Sequence, residues 1–327
     1  MEKEKIGNNE LKALGINDVD VLVNFSRVAN GLLKHGVMDK TNILFNLEAL
    51  IDDPMPYALK KGGKFKNLAE DVIAMRKEGK FVKQERSNFK LKEEIADFPV
   101  WGLENIEVGA LTQMRTAIQL PIAVAGALMP DAHQGYGLPI GGVLATTANT
   151  IIPFAVGVDI ACRMCLSIFD LPSEAIDIET DKLKNILVDN TYFGMGCITK
   201  SYFDSSLFDS KTWGETKIIR SLKDKAYAQL GTSGTGNHFV EWGELTIADG
   251  ALSDIPAGKY LALLSHSGSR SLGANIAQHY TTIAMSKCKL PREAKQLAWL
   301  TMDSAEGQEY WLSMNLAGDY AKACQIH

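Results

Sequence analysis

The chain has 327 residues, 46% hydrophobic and 22% charged, with a formal net charge of -5 and a pI near 5.8. That is enough apolar sequence for a sizeable core in one large domain or two, and the acidic balance excludes a protein that is basic over its whole surface while leaving room for a local basic groove. The longest apolar stretch, around Leu120 to Met129, is too short to span a bilayer, and the start Met1-Glu2-Lys3-Glu4-Lys5 carries no secretory signal. Five irregularly spaced cysteines argue against a disulfide framework, so the expectation is a cytoplasmic protein with no membrane partner.

Half of the basic residues, 17 of the 34 Lys and Arg, fall in the first 100 positions. Within them, Asp20 to Leu33, Ile43 to Leu50 and Asn67 to Lys77 carry apolar residues at three-and-four spacing, which predicts a mainly helical N-terminal region over residues 1–100. Lys60-Lys61-Gly62-Gly63-Lys64-Phe65-Lys66 between two of these segments reads as a basic loop. It has the charge to touch an RNA backbone, though a solvated loop is the simpler account. From Trp101 to about Leu171 the texture changes to glycine-rich apolar runs with β-branched residues, which predicts strands of a buried sheet and the start of a catalytic domain over residues 101–327. The last part, around Ala294, Leu297, Leu300, Tyr310, Leu312, Leu316 and Tyr320, is patterned as helix. The class predicted is α+β, with packed β-sheets and surrounding helices.

Four motifs carry chemistry. In Met129-Pro130-Asp131-Ala132-His133-Gln134-Gly135, Asp131 and His133 alternate, so on an extended chain they face one side and can orient ligands or substrate. Gly157-Val158-Asp159-Ile160-Ala161-Cys162 sets a carboxylate and a thiol three residues apart, able to share a cation on a tight turn; a buried Asp capping a turn beside a core cysteine is the other account. Gly231 to Gly236 is flexible enough to wrap backbone amides around phosphate oxygens and leads into Asn237 and His238, but it lacks the Gly-Lys-Ser/Thr ending of a P-loop, and a plain glycine turn also fits. His266 lies just past the strand candidate Tyr260 to Leu264 and is followed by Ser267-Gly268-Ser269-Arg270. It can bind a metal while Arg270 forks onto a phosphate, or be an ordinary core histidine. Asp, Cys and two His together match a soft or borderline divalent ion.

Taken in order, the motifs at 129–137, 157–162, 236–239 and 266–270 resemble those of the RtcB family of RNA ligases, and Gly307-Gln308-Glu309-Tyr310 and Met314 to Ala321 resemble that family's helical segment. The resemblance covers roughly Trp101 to Ala321. It implies a GTP- and manganese-dependent ligase, with two Mn(II) ions, that joins RNA 3′-phosphate or 2′,3′-cyclic phosphate ends to 5′-hydroxyl ends in tRNA splicing and RNA repair. The family transfers GMP from GTP to a histidine, then to the RNA 3′-phosphate, and finally displaces it with the 5′-hydroxyl. By matching positions, the resemblance makes Asp159, Cys162, His238 and His266 metal ligands, with Cys162 the bridging candidate. It places Asn237, Gly234 and Gly236 at the guanylate, Arg270 and, more weakly, Lys225 at an RNA phosphate, and Asp131 near the catalytic centre. RNA, GTP and an archease-like activator are the partners implied.

This sequence departs from the family pattern in three places. The family's remaining metal-binding histidine and its guanylylated histidine lie beyond the helical segment, so the chain reads as lacking the family's C-terminal part, with no visible nucleophile for the first covalent step and the ligase activity of this form left open. Ala161 and Arg163 stand where small residues, commonly glycine, surround the cysteine, and Arg163 brings positive charge beside a cationic site unless it points away. Lys322-Ala323-Cys324 stands where the family often has an Asn-Arg pair. A metal-dependent phosphodiesterase and a non-catalytic RNA-end-binding paralog are the competing readings.

Overall fold

Apolar spacing in the first 78 residues becomes a set of packed helices. In the computed structural model, which describes residues 5–14, 16, 18–78, 87–199 and 203–327, these are α1 (Asn8–Ala13), α2 (Val19–Lys34), α3 (Lys40–Asp52), α4 (Met55–Leu59) and α5 (Lys66–Lys77). The chain start Met1 to Glu4 lies outside the described residues. Asp18 caps α2 by accepting from the backbone N–H of Asp20 and Val21, and Asp39 caps α3 by accepting from that of Asn42. Phe25, Leu47, Leu50 and Val72 are fully buried between these helices. The three predicted helices are present; the two short ones, α1 and α4, had too few turns to show a period. The basic loop lies between α4 and α5, with Lys60, Lys61 and Lys64 exposed and Phe65 buried beneath them.

The chain divides into two compact units, one of Met1–Ile152 with Thr281–Leu300, the other of Pro153–Tyr280 with Thr301–His327. The first contains the helices above, α6 (Val108–Ile118), and the antiparallel pair β1 (Ala123–His133) and β2 (Ile140–Thr146). Helix α6 corrects the expectation of strands throughout this stretch. Its Ala110, Met114, Ala117 and Ile118 form a buried face at three-and-four spacing, hidden in the sequence by apolar residues on both sides. The β1–β2 pair is also half exposed, where a buried sheet was expected. In β1, Asp131 and His133 are both exposed, with Ala132 buried between them, as alternation on a strand requires.

The second unit is built on a three-stranded antiparallel sheet. Strand β3 (Arg163–Pro172) and strand β4 (Phe239–Ile247) flank the central strand β5 (Gly258–Ser267), with His266 in register with Met164 on one side and Phe239 on the other. Helices α7 (Thr180–Asn190), α8 (Lys217–Gln229), the opening residues of α9 (Arg270–Lys287) and α10 (Ala305–Ile326) complete it. Tyr320 of α10 is fully buried and donates to the Ala226 carbonyl at 2.8 Å, and Gln325 bonds both the Arg163 carbonyl and the Ser265 hydroxyl, tying the helix to two strands. The fold is α+β. Among the described residues, no helix is long and apolar enough to cross a membrane.

Candidate metal centre

Topology gathers residues that are far apart in sequence. Because β3 and β4 both run antiparallel to β5, they begin at the end of the sheet where β5 finishes. Cys162 immediately precedes β3, His238 immediately precedes β4, and His266 is the next-to-last residue of β5. The three side chains therefore meet at one end of the sheet. Cys162 Sγ is 2.7 Å from His266 Nε2 and 3.6 Å from His238 Nε2, and one donor atom from each residue falls within 4.8 Å of the others. Asp159 Oδ2 joins them at 2.6 Å from His238 Nε2.

Each donor is held from behind. His266 Nδ1 lies 3.0 Å from the Asn237 carbonyl, which fixes the ring and leaves Nε2 facing the cluster, the arrangement of metal-binding histidines generally. The two imidazoles stand edge to face, 5.0 Å apart. Asp159 and Cys162 bracket a turn closed by the Cys162 N–H donating to the Asp159 carbonyl at 3.2 Å, and Ala161 takes φ 60° inside it. That left-handed value costs a residue with a Cβ roughly 1–2 kcal/mol, and it accounts for the small residues expected around the cysteine. Arg163, by contrast, points away: its guanidinium donates to the carbonyls of Ala161 and Gly318.

The residues present fit a divalent cation. Asp159 Oδ2 is buried without a hydrogen-bond partner, so its close approach to His238 lacks the alignment of a hydrogen bond and leaves a carboxylate oxygen facing a cluster of donors. One sulfur, two nitrogens and one oxygen make a borderline donor set. In a tetrahedral site with metal–ligand bonds of about 2.0–2.3 Å, neighbouring donors stand roughly 3.3–3.7 Å apart. The 3.6 Å separation matches this, while the 2.7 and 2.6 Å separations require the cluster to open by somewhat under about 1 Å.

Electrostatics set the protonation around the cluster. Although Cys162 is exposed as a residue, crowding away from water and then the Asp159 carboxylate push its thiol up to about 11, against the pull of the Arg270 guanidinium. Burial and the Arg270 charge hold His238 below the usual histidine range, with Asp159 opposing them. Arg270, itself at φ 52°, donates to His238 Nδ1 at 3.3 Å and to Ser267 Oγ at 3.0 Å. A donor at Nδ1 leaves the neutral ring's own proton on Nε2, so cation binding at Nε2 requires that proton to move and the Arg270 contact to be released.

The other predicted residues fall variously. Gly234, at φ 106°, packs so closely that a Cβ there would overlap the Arg270 guanidinium and approach His238 Nδ1; Gly236 faces open space. Asn237 is exposed and takes part through its carbonyl. Lys225 lies on the exposed face of α8, with no contact to the cluster among the described residues. Asp131 belongs to the other compact unit. Sequence reasoning missed Gly268 and Ser269. A Cβ at Gly268 would overlap both Asp159 carboxylate oxygens, and Ser269 donates to Asp159 Oδ1 from its N–H at 2.8 Å and its hydroxyl at 3.1 Å. The run of small residues after His266 was the available signal.

The sequence profile of the family described as tRNA-splicing ligase RtcB matches residues 113–213 and 208–325, well over half of the chain. The chain belongs to the RtcB family. Among curated RtcB relatives, it is 29% identical to RNA-splicing ligase RtcB homolog 1 of Entamoeba dispar, over 68% of this chain and 48% of that protein. It is 29% identical to tRNA-splicing ligase RtcB of Thermococcus kodakarensis over 60% of this chain and 48% of the relative, and 30% identical to that of Methanococcus maripaludis over 67% and 54%. The chain thus spans about half the length of the curated relatives it matches. All four candidate ligands lie within the matched residues.

Proposed function

We propose that this chain carries the metal centre of an RNA ligase of the RtcB type, holding manganese through Asp159, Cys162, His238 and His266 and using it, with GTP, to join an RNA 3′-phosphate or 2′,3′-cyclic phosphate end to a 5′-hydroxyl end. The reading rests chiefly on the convergence of one thiol and two imidazoles within 4.8 Å inside the region matched by the family profile. A cation held there by Asp159, Cys162, His238 and His266 would supply positive charge for phosphate oxygens in phosphoryl transfer. The chain's own residues do the rest. Asn237 fixes His266 through its carbonyl, and the Gly231–Gly236 turn, whose Thr232 and Ser233 N–H groups are already given to the Gln229 and Tyr192 carbonyls, would have to meet a guanylate with its later N–H groups. Once freed from His238, Arg270 has the planar fork that grips a terminal phosphate with two parallel hydrogen bonds. Manganese sits at the weak end of the divalent series for such donors, so zinc and cobalt should also occupy the site, with selection in the cell resting on availability. An archease-like activator and a cytoplasmic setting belong to the same proposal.

The test is an RNA pair, one strand ending in a labelled 3′-phosphate and the other starting with a 5′-hydroxyl, incubated with the protein, manganese and GTP. The proposal predicts a joined product that requires both additions, forms at the latest once a segment carrying the family's guanylylated histidine is supplied, and disappears in Cys162→Ala. Release of the label without joining would replace it with a metal-dependent phosphodiesterase, and retention of the RNA with neither product, even with that segment supplied, would replace it with an RNA-end-binding protein.

A further inference from the structure

The two oxygens of Asp159 live in different surroundings. Oδ1 accepts twice from Ser269, from the backbone N–H at 2.8 Å and from the hydroxyl at 3.1 Å, whereas Oδ2 is buried with no hydrogen-bond partner and faces His238. Ser269 is itself fully buried, and its neighbour Gly268 lacks the Cβ that would otherwise occupy the carboxylate's place. Gly273, one turn into α9, leaves the space that the Ser269 hydroxyl fills. Two glycines and the Ser269 hydroxyl are thus arranged around one side of a carboxylate.

The geometry points to Ser269 as a positioning residue that commits Asp159 to the metal through a single oxygen, Oδ2. A carboxylate with two free oxygens can chelate a cation, swing to one oxygen, or bridge two ions. With Oδ1 saturated by two donors that the turn supplies, chelation requires giving both up inside a buried site, where an unmade hydrogen bond costs about 1–3 kcal/mol. The carboxylate is therefore oriented before any ion arrives, and the ion's entry adds one oxygen donor to the sulfur and the two nitrogens. This keeps the protein donors at four, so that a phosphate oxygen can join only as a fifth ligand. The inference rests on the metal-centre reading above and adds to it the binding mode of one ligand and the residue that sets it.

Infrared difference spectroscopy of wild-type protein labelled with carbon-13 at the aspartate carboxylates, recorded with and without cobalt or manganese, tests the binding mode without any mutation. The expected result is a metal-induced carboxylate signal whose antisymmetric and symmetric stretches are more widely separated than in a free carboxylate, the mark of one-oxygen binding. A narrowed separation, the mark of a chelate, overturns the inference. Ser269→Ala then tests the positioning: removing the hydroxyl should weaken metal affinity by about tenfold, the lower end for loss of an outer-sphere partner, and narrow the separation toward the chelating value. Unchanged affinity and an unchanged spectrum in a folded Ser269→Ala protein also overturn the inference, and if that variant does not fold the wild-type spectrum decides. Wild-type protein that takes up no metal in a direct titration sinks the metal-centre reading itself, a failure distinct from chelation by a protein that does bind.

Discussion

The helices of the first 78 residues and the turns around Cys162 and Ser269 use the polypeptide in opposite ways. In the helical region the buried groups are Phe25, Leu47, Leu50 and Val72, held in regular backbone with ordinary side-chain caps at Asp18 and Asp39. Around the candidate metal centre the backbone bends through left-handed values at Ala161 and Arg270, glycines stand where a Cβ would collide, and the groups brought together are a thiol, imidazoles and a carboxylate whose buried Oδ2 lies against His238. The first region is what apolar burial builds. The second holds conformations that burial alone would not select, and local strain of this kind is characteristic of functional sites. Each region should therefore respond to a different perturbation.

The largest effect expected is on stability. Phe25→Ala removes a fully buried ring from the helical core and should cost about 3–5 kcal/mol, read as a lower chemical-denaturation midpoint, while leaving metal affinity intact. Cys162→Ala should do the reverse. Metal affinity should fall by on the order of 100-fold or more, beyond the roughly 10–100-fold that outer-sphere losses cost, as measured by titration calorimetry, with little change in the metal-free unfolding midpoint. A Cys162→Ala protein that unfolds as readily as Phe25→Ala would erase the distinction.

Next in size is the pH dependence of binding. With the thiol raised to about 11, Cys162 carries its proton at neutral pH and must lose it to coordinate, whereas His238, held below its usual range, is already neutral there. One proton should therefore leave per ion bound on account of the thiol, and affinity should rise by about tenfold per pH unit from neutrality toward 11. Calorimetry in buffers of different ionisation enthalpy reads the proton count, and the slope should vanish in Cys162→Ala. The smallest effect is at Ala161. Replacing it with glycine relieves the left-handed backbone and should stabilise the metal-free protein by no more than about 1–2 kcal/mol, because part of the gain is offset by glycine's greater freedom when unfolded. A clear destabilisation would show that the turn is not strained.

What the sequence revealed follows the same division. Helical periodicity exposed α2, α3 and α5 because one face of each is apolar, but it failed for α6, where apolar residues occupy both faces. At the site, the residue types best suited to ligation stood out, and the structure brings Asp159, Cys162, His238 and His266 together. The supporting contacts did not stand out. Asn237 acts on His266 through a backbone carbonyl, Gly268 through the absence of a side chain, and Ser269 through a hydroxyl of a kind found on any surface. Backbone atoms carry no residue-type signature, and the register that aligns the starts of β3 and β4 with the end of β5 exists only once the chain is folded. His266 was placed just past its strand for the same reason, since only the ladder with Met164 and Phe239 shows where β5 ends.

The central claim, that a thiolate and two imidazoles close on one cation, is tested most directly by titrating the wild-type protein with cobalt and following the sulfur-to-cobalt charge-transfer absorption in the near ultraviolet. The account predicts a saturable band that grows as cobalt is added and is absent from Cys162→Ala. Cobalt uptake without that band, or an equal band in the Cys162→Ala protein, would contradict it.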